Sequence, residues 1–242
     1  MATKKANTND FSEYKRKFWQ LFAYGFLGVI LLFLFASWGF FGKMPSFDDL
    51  ENPDSNVATE IISADGVVIG KFYKENRTPV KYHELPQYLV KALVATEDER
   101  FYEHSGIDAK GTLRAVVKLG RDGGASTLTQ QLAKNLFLSG ERHLLRKGQE
   151  LALAFLLEQF LDKRRILELY LNHAEWGQGI FGAEAAAQHY FKKPASRLTS
   201  LEAARLAVML PRPRYFQQHW QSGYLSQRAQ VIARRMAGTA IP

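Results

Sequence analysis

A run of 24 residues without a formal charge, residues 18–41, most restricts how this chain can fold. About 20 apolar residues in a helix cross the hydrocarbon core of a bilayer, so this run is long enough with some tilt. Trp19 and Trp38 lie near its two ends, where aromatic belts form at membrane interfaces. Five basic residues precede the run and only Lys43 follows it closely. This asymmetry predicts a cytoplasmic tail at 1–17, a transmembrane helix at 18–41 and the remainder of the chain outside. A cleaved signal peptide is disfavoured, because its apolar region usually has only about 7–15 residues.

The rest of the chain has the composition of one folded domain. A hydrophobic content of 46% supports a substantial core. The net charge of +8 indicates a polyanionic partner such as nucleic acid, an anionic membrane or phosphates. The chain has no cysteine, which excludes disulfides and thiolate metal sites. Residues 42–56 are rich in Pro, Asn, Asp and Ser and are interpreted as a linker, so the domain is expected at 57–242.

Residue patterns in this domain predict a mostly α structure with one small β-hairpin. Residues 59–62 and 67–73 flank an Asp-Gly turn, which favours a hairpin. Apolar residues then recur at helical spacing up to residue 97. Residues 144–161 are so apolar that a helix buried on all sides is expected. Residues 175–182 contain three glycines and are interpreted as a loop with close backbone approaches.

The segment 95–108 carries acidic side chains beside one histidine and two aromatic rings. It directly follows an apolar run, and the helical spacing places Glu97 at or near a helix end. A carboxylate near apolar residues can have a raised pKa and serve as a base near neutral pH. A solvated helix face is an equally good interpretation of this stretch alone.

Two further segments suggest a charged ligand. Gly123 and Gly124 precede Thr127, which has capping-box spacing to Gln130 at a helix start. Such a helix N-terminus favours anions, although a plain helix cap explains the same pattern. Glu150 lies four residues after Arg146 and leads into a very apolar helix. It is either half of a surface ion pair or a partly buried carboxylate beside a basic partner, as in many functional sites.

Four segments in this order resemble the peptidoglycan glycosyltransferase family. They are Glu97-Asp-Glu-Arg-Phe-Tyr-Glu-His-Ser-Gly106, Gly124-Ala-Ser-Thr-Leu-Thr-Gln-Gln131 with Lys134-Asn135, Arg146-Lys-Gly-Gln-Glu150, and Ile166-Leu-Glu-Leu-Tyr-Leu-Asn172. The resemblance covers about residues 57–237. It implies a lysozyme-like, two-lobed fold that joins lipid II units into glycan chains and releases undecaprenyl diphosphate with inversion.

The resemblance also assigns roles to individual residues. Glu97 would be the general base, and Glu150 a second catalytic glutamate on the donor side. The implied contacts to substrate and diphosphate are Ser126, Thr127, Gln130, Gln131, Lys134, Asn135, Arg146 and Lys147. The implied scaffold of the site is Asp98, Phe101, His104 and Gly106, with His104 as a structural, hydrogen-bonded residue. No protein metal ligands are expected, and a divalent cation, Mg²⁺ or Mn²⁺, would accompany the substrate diphosphate.

The implied partners are lipid II, the lipid-linked glycan chain, the bacterial cytoplasmic membrane and other proteins of cell-wall synthesis or division, and not nucleic acid. The chain lacks the Lys-Thr-Gly motif of a transpeptidase domain and so resembles the monofunctional branch, although residues 56–82 look more like the approach to a bifunctional enzyme's module.

The alternative reaction is that of a lysozyme-like or lytic transglycosylase, which also uses acidic residues. A hydrolase of neutral glycosidic bonds has no leaving diphosphate to bind, so the basic residues favour the synthetic reaction. A binding or scaffold protein with a decayed site would lack the glutamates.

Overall fold

The computed structural model describes residues 8–37, 45–53, 59–64, 68–72, 76–117, 126–138 and 144–241, and in this part the chain is mostly helical, as the sequence predicts. The helices in chain order are α1 Thr8–Ser37, α2 Phe47–Glu51, α3 Gln87–Glu97, α4 Ala109–Val117, α5 Leu128–Phe137, α6 Leu144–Phe160, α7 Lys163–His173, α8 Ala183–Phe191, α9 Ser200–Met209, α10 Pro213–Gln218 and α11 Gly223–Arg235.

The strands form two small sheets. Strand β1 (Thr59–Ile62) pairs antiparallel with β2 (Val68–Phe72), which confirms the predicted hairpin, while its turn, residues 65–67, lies outside the described residues. In the second sheet β5 (Ile180–Phe181) lies between β3 (Asn76–Arg77), to which it is parallel, and β4 (Glu175–Gly177), to which it is antiparallel. This sheet ties the start of the domain to its C-terminal half.

The expectation of an irregular loop at 175–182 is therefore wrong. Gly179 has a φ of +75°, and this left-handed conformation lets the chain reverse within two residues between β4 and β5. The expected close approaches do occur at the other two glycines. A Cβ on Gly182 would lie 2.9 Å from the Asn172 carbonyl oxygen, and one on Gly177 would lie 2.9 Å from Tyr190 Oη.

Two groups of helices make the core. Helices α3, α9 and α11 pack together, and α5 packs on both α6 and α7. In the first group α3 buries Leu89 and Leu93 along one face. Trp176 of β4 is fully buried and its indole N–H donates to the Leu206 carbonyl of α9, 3.1 Å away. The second group carries the residues for which the sequence predicts chemistry.

Helix α6 is not buried on all sides, contrary to expectation. Phe155 is 43% exposed and Phe160 is 54% exposed. The ring of Phe160 lies edge-on to that of Phe47 in α2, with centroids 4.8 Å apart. Because apolar residues surround the whole helix, its periodicity does not show which face is left without a neighbour.

The predicted linker and transmembrane segment are only partly described. Within 42–56, helix α2 begins at a Ser46–Asp49 capping box and buries Leu50, so this part of the segment packs on the domain. Helix α1 covers most of the uncharged run and contacts α6, where a Cβ on Gly148 would lie 3.9 Å from Leu32 Cδ2. Residues 38–44 lie outside the described residues. In the part of the chain that is described, no helix has both the length and the apolarity required to cross a membrane.

Candidate active site

Helix α3 places Glu97 at its last residue, as the spacing of apolar residues predicts. The Glu97 side chain is half-buried where α3 meets α5 and α7, and Asp98 follows as the C-cap. Burial raises the pKa of Glu97, and the neighbouring Asp98 carboxylate raises it further. A hydrogen bond from Gln131 and the charge of Lys134 act against this rise. The proton affinity of Glu97 is thus increased, which favours a role as general base.

Gln131 of α5 connects Glu97 to a buried tyrosine. Its Nε2 donates to Glu97 Oε2 at 2.9 Å, and its Oε1 accepts from the Tyr170 hydroxyl at 2.9 Å. Tyr170 is buried in α7, and burial, reinforced by the charge of Glu97, raises its pKa well above the ordinary value. The resemblance implies a substrate contact for Gln131, whereas the structure shows it holding the proposed base.

Asp98 fixes the loop after α3 to the start of α5. His104 Nε2 lies 3.0 Å from Asp98 Oδ1, and both side chains are almost fully buried. The backbone N–H of Leu128, the first residue of α5, donates to Asp98 Oδ2 at 3.0 Å. The expectation that His104 is a structural, hydrogen-bonded residue is in keeping with this contact.

Gly106 completes the same junction. Its carbonyl oxygen accepts from Thr127 Oγ1 at 2.6 Å and from Gln130 Nε2 at 3.2 Å. Thr127 caps α5 by accepting from the Gln130 N–H, as predicted. The reciprocal half of a capping box is missing, because the Gln130 side chain turns to Gly106 instead of back to the cap. Thr127 and Gln130 therefore form the cap of α5 and also anchor the loop at Gly106.

Sequence reasoning missed a set of buried contacts behind this loop. Lys163 Nζ donates to the His104 carbonyl at 2.6 Å and lies 4.3 Å above the ring of Phe101, which is fully buried. It also pairs with Glu158 at 2.7 Å, and Glu158 accepts from Thr129 Oγ1 at 2.6 Å. A basic residue at the start of a helix carries no local signal for a contact 59 residues away.

Glu150 is buried in α6 beside a cation, as one of the two interpretations expected. That cation is Lys147 and not Arg146, although both lie one helical turn before Glu150. Lys147 Nζ also donates to Ser126 Oγ at 2.9 Å and to Gln130 Oε1 at 3.1 Å. Adjacent residues of α5, Gln130 and Gln131, thus connect to the two glutamates.

The other three residues with an implied substrate contact, Lys134, Asn135 and Arg146, have no hydrogen bond to either glutamate among the described contacts. Lys134 lies near enough to Glu97 to lower its pKa, and Arg146 is half-buried near the start of α6. Asn135 is exposed, so its implied role stays a prediction. The described residues contain no group of three or more His, Asp or Glu side chains arranged to hold a metal ion.

A cavity of about 280 Å³ lies away from these residues, beside β3 and α7. Two of its lining side chains, Asn172 and Glu168, bond to backbone groups of residues 80–82. Asn172 accepts from the Val80 N–H at 2.9 Å and donates to the Val80 carbonyl at 2.8 Å. Glu168 accepts from the Tyr82 N–H at 2.7 Å. These bonds account for Glu168 and Asn172 without a ligand.

Residues 65–237 match the transglycosylase family. The biosynthetic peptidoglycan transglycosylase of Burkholderia thailandensis is 53% identical over 167 residues, which are 67% of this chain and 65% of the relative. The protein of the same name from Paraburkholderia phytofirmans is 50% identical over 169 residues, 68% of this chain and 70% of the relative. The match thus spans just under two thirds of the first relative's length. Among solved structures, penicillin-binding protein 1A from Haemophilus influenzae is 24% identical over 76% of this chain and 18% of its own, with a TM-score of 0.38.

Proposed function

Because this chain belongs to the transglycosylase family, we propose that it polymerises lipid II into linear glycan strands of peptidoglycan. The observation that carries the proposal is Glu97, a half-buried carboxylate whose pKa is raised by burial and which Gln131 holds in place. In the proposed reaction Glu97 takes the proton from the 4-hydroxyl of the acceptor sugar. That oxygen attacks the anomeric carbon of the lipid-linked chain, and undecaprenyl diphosphate leaves with the bonding electrons, with inversion.

Basic side chains supply the second requirement, a place for the leaving diphosphate. Lys134, Arg146 and Lys147 would neutralise the charge that develops on it, and fixed charges of this kind are a major catalytic contribution. Lys147 is half-exposed while its Nζ contacts Glu150, so it can face a ligand and still hold the second glutamate. Ser126 and Gln130, which bind the same Nζ, would line the donor side with Thr127 and Asn135. A divalent cation, Mg²⁺ or Mn²⁺, would be held by diphosphate oxygens rather than by a protein cage.

Location at the cell envelope follows from the names of the relatives, which are biosynthetic peptidoglycan transglycosylases. We place the domain outside the bacterial cytoplasmic membrane in a two-lobed, lysozyme-like arrangement, with residues 18–41 as its anchor and other proteins of cell-wall synthesis or division as partners. The anchor rests on the uncharged run, whose last residues lie outside the described part of the chain. The basic net charge suits a diphosphate lipid in an anionic membrane.

A lytic or lysozyme-like reaction is the competing function, and the family match does not favour it. The full chain, purified in detergent, should be incubated in parallel with labelled lipid II and with insoluble peptidoglycan. We expect glycan polymer from lipid II, its loss in the presence of moenomycin, which mimics the lipid-linked donor, and no soluble fragments from peptidoglycan. Fragments from peptidoglycan without polymer from lipid II would establish the lytic reaction instead.

A further inference from the structure

The hydrogen bonds around Glu97 fix the direction of the Gln131 amide. An ionised carboxylate only accepts hydrogen bonds, so the amide nitrogen must face Glu97 Oε2, 2.9 Å away. The amide oxygen must then face Tyr170, whose hydroxyl donates to it at 2.9 Å. Reversing the amide would set its oxygen against the carboxylate and its N–H₂ against the tyrosine hydroxyl. The tyrosine hydroxyl therefore satisfies the amide oxygen and holds the amide in the orientation that Glu97 requires.

Tyr170 is suited to hold this orientation because it cannot easily ionise or move. Its side chain is buried in α7, and its raised pKa keeps the hydroxyl protonated at any pH at which the enzyme would act. The charged groups that influence Glu97 are Asp98 and Lys134, and neither of them bonds to Gln131. Among the described residues, Tyr170 is thus the one that holds the amide oxygen of Gln131 on the side away from Glu97.

We propose that Tyr170 is a positioning residue for the Glu97 base, acting through Gln131. Its hydroxyl holds the amide so that Gln131 donates to Oε2 of Glu97 and leaves Oε1 to accept the proton. This inference rests on the proposed function, since it assigns Glu97 the role of general base. Tyr170 contacts no reacting atom itself, so its effect is on the orientation and the proton affinity of Glu97.

Replacing Tyr170 by phenylalanine removes only the hydroxyl. The amide oxygen then loses its partner, the amide is held less firmly, and the bond from Gln131 that lowers the pKa of Glu97 weakens. We expect kcat on lipid II to fall about three- to tenfold with KM unchanged, the size of one neutral hydrogen bond. We also expect the acidic limb of the pH–rate profile to move to higher pH, because Glu97 holds its proton more tightly.

Tyr190→Phe is the matched control. The Tyr190 hydroxyl also donates to a single acceptor, the Trp176 carbonyl at 2.7 Å, and partial burial raises the pKa of Tyr190 to about 12. It has no contact with Gln131 or Glu97, so its loss should leave kcat and the pH profile as in the wild type. A similar fall in kcat with an unshifted pH profile in both variants would mean that Tyr170 serves the packing of the domain only.

A carboxyl titration tests the positioning role without relying on activity. In protein labelled with ¹³C at glutamate carboxyls, the Glu97 signal is identified by its absence in Glu97→Gln. Its pKa should be higher in Tyr170→Phe than in the wild type and unchanged in Tyr190→Phe. An unchanged pKa in Tyr170→Phe overturns the positioning role itself. A wild type that makes no polymer from lipid II would overturn the proposed function, and with it the role of Glu97 as base, whatever the titration shows.

Discussion

At the scale of single residues, the behaviour of Glu97 follows from where its carboxyl group is held. The last residue of α3 is close enough to the core for burial to raise its pKa, yet it remains partly open to solvent. The hydrogen bond from Gln131 and the charge of Lys134 limit that rise. Glu97 belongs to α3, whereas the two groups that lower its pKa belong to α5. The candidate active site therefore forms only when α3 and α5 are brought together.

Gly106 is the residue whose substitution should be most informative about the loop. It has a φ of +84°, and a Cβ there would lie 2.9 Å from the Ala154 carbonyl oxygen. The backbone conformation costs alanine about 1–2 kcal/mol, and the contact with Ala154 adds about 1–3 kcal/mol of overpacking. We expect Gly106→Ala to lower the free energy of unfolding by about 2–5 kcal/mol in chemical denaturation.

Gly179→Ala is the control for this effect. Gly179 has a similar φ of +75°, but a Cβ there would meet nothing within 4 Å. The free energy of unfolding of Gly179→Ala should therefore fall by only about 1–2 kcal/mol, because only the backbone conformation is strained. Equal losses in the two variants would show that the close approach to Ala154 does not matter.

The position of Glu97 could be predicted from the sequence, but its partners could not. Helical spacing gives the helix end, because it depends on neighbouring residues only. The Glu97–Gln131 contact joins residues 34 apart, the Gln131–Tyr170 contact joins residues 39 apart, and no local pattern encodes either. The family resemblance selected Gln131 as a site residue, yet its observed contact is with the base.

At the scale of secondary-structure elements, α5 organises the site. Its capping residue Thr127 and the N–H of Leu128 bind the loop that follows α3. In the first turn of α5, Gln130 contacts Lys147 and Gln131 contacts Glu97. The helix start was predictable from its cap, whereas the anchoring of the loop by the same residues was not, because it depends on the path of a distant segment.

Two other elements show where local patterns fail. The uniform apolarity of α6 predicts complete burial, but Phe155 is 43% exposed. The glycines between β4 and β5 indicate an irregular loop, but Gly179 instead makes a tight turn between two strands. In both cases the outcome depends on which other elements lie alongside.

Lys147→Met tests whether α5 and α6 share one charged site. The substitution keeps the length of the side chain but leaves the Glu150 carboxylate buried without its cation. We expect polymerisation to fall at least about tenfold and the free energy of unfolding to fall about 1–3 kcal/mol, since half-exposure of Lys147 weakens the pair.

Lys193→Met provides the comparison, because Lys193 pairs with Glu202 at 2.6 Å at the start of α9 and contacts none of the proposed site residues. Its rate on lipid II should match the wild type. Equal rates for Lys147→Met and the wild type would remove Lys147 from the proposed site.

At the scale of the whole molecule, the two core groups of helices differ in the contacts they make. Helices α3, α9 and α11 form a packed support, and α5, α6 and α7 carry most of the polar contacts that hold the site. The basic charge of the chain does not call for nucleic acid, because a diphosphate lipid meets the same requirement. The predicted anchor would keep this domain at the surface where such a lipid is presented.

The rate of polymer formation from purified lipid II by Glu97→Gln, measured beside the wild type, tests the central claim most directly. The amide cannot accept the proton, so we predict a loss of at least about 100-fold. The ionised Glu97 carboxylate weakens the fold above its raised pKa, so the neutral amide should leave the melting temperature at pH 8 unchanged or higher. A folded Glu97→Gln protein that polymerises lipid II at the wild-type rate would contradict the account.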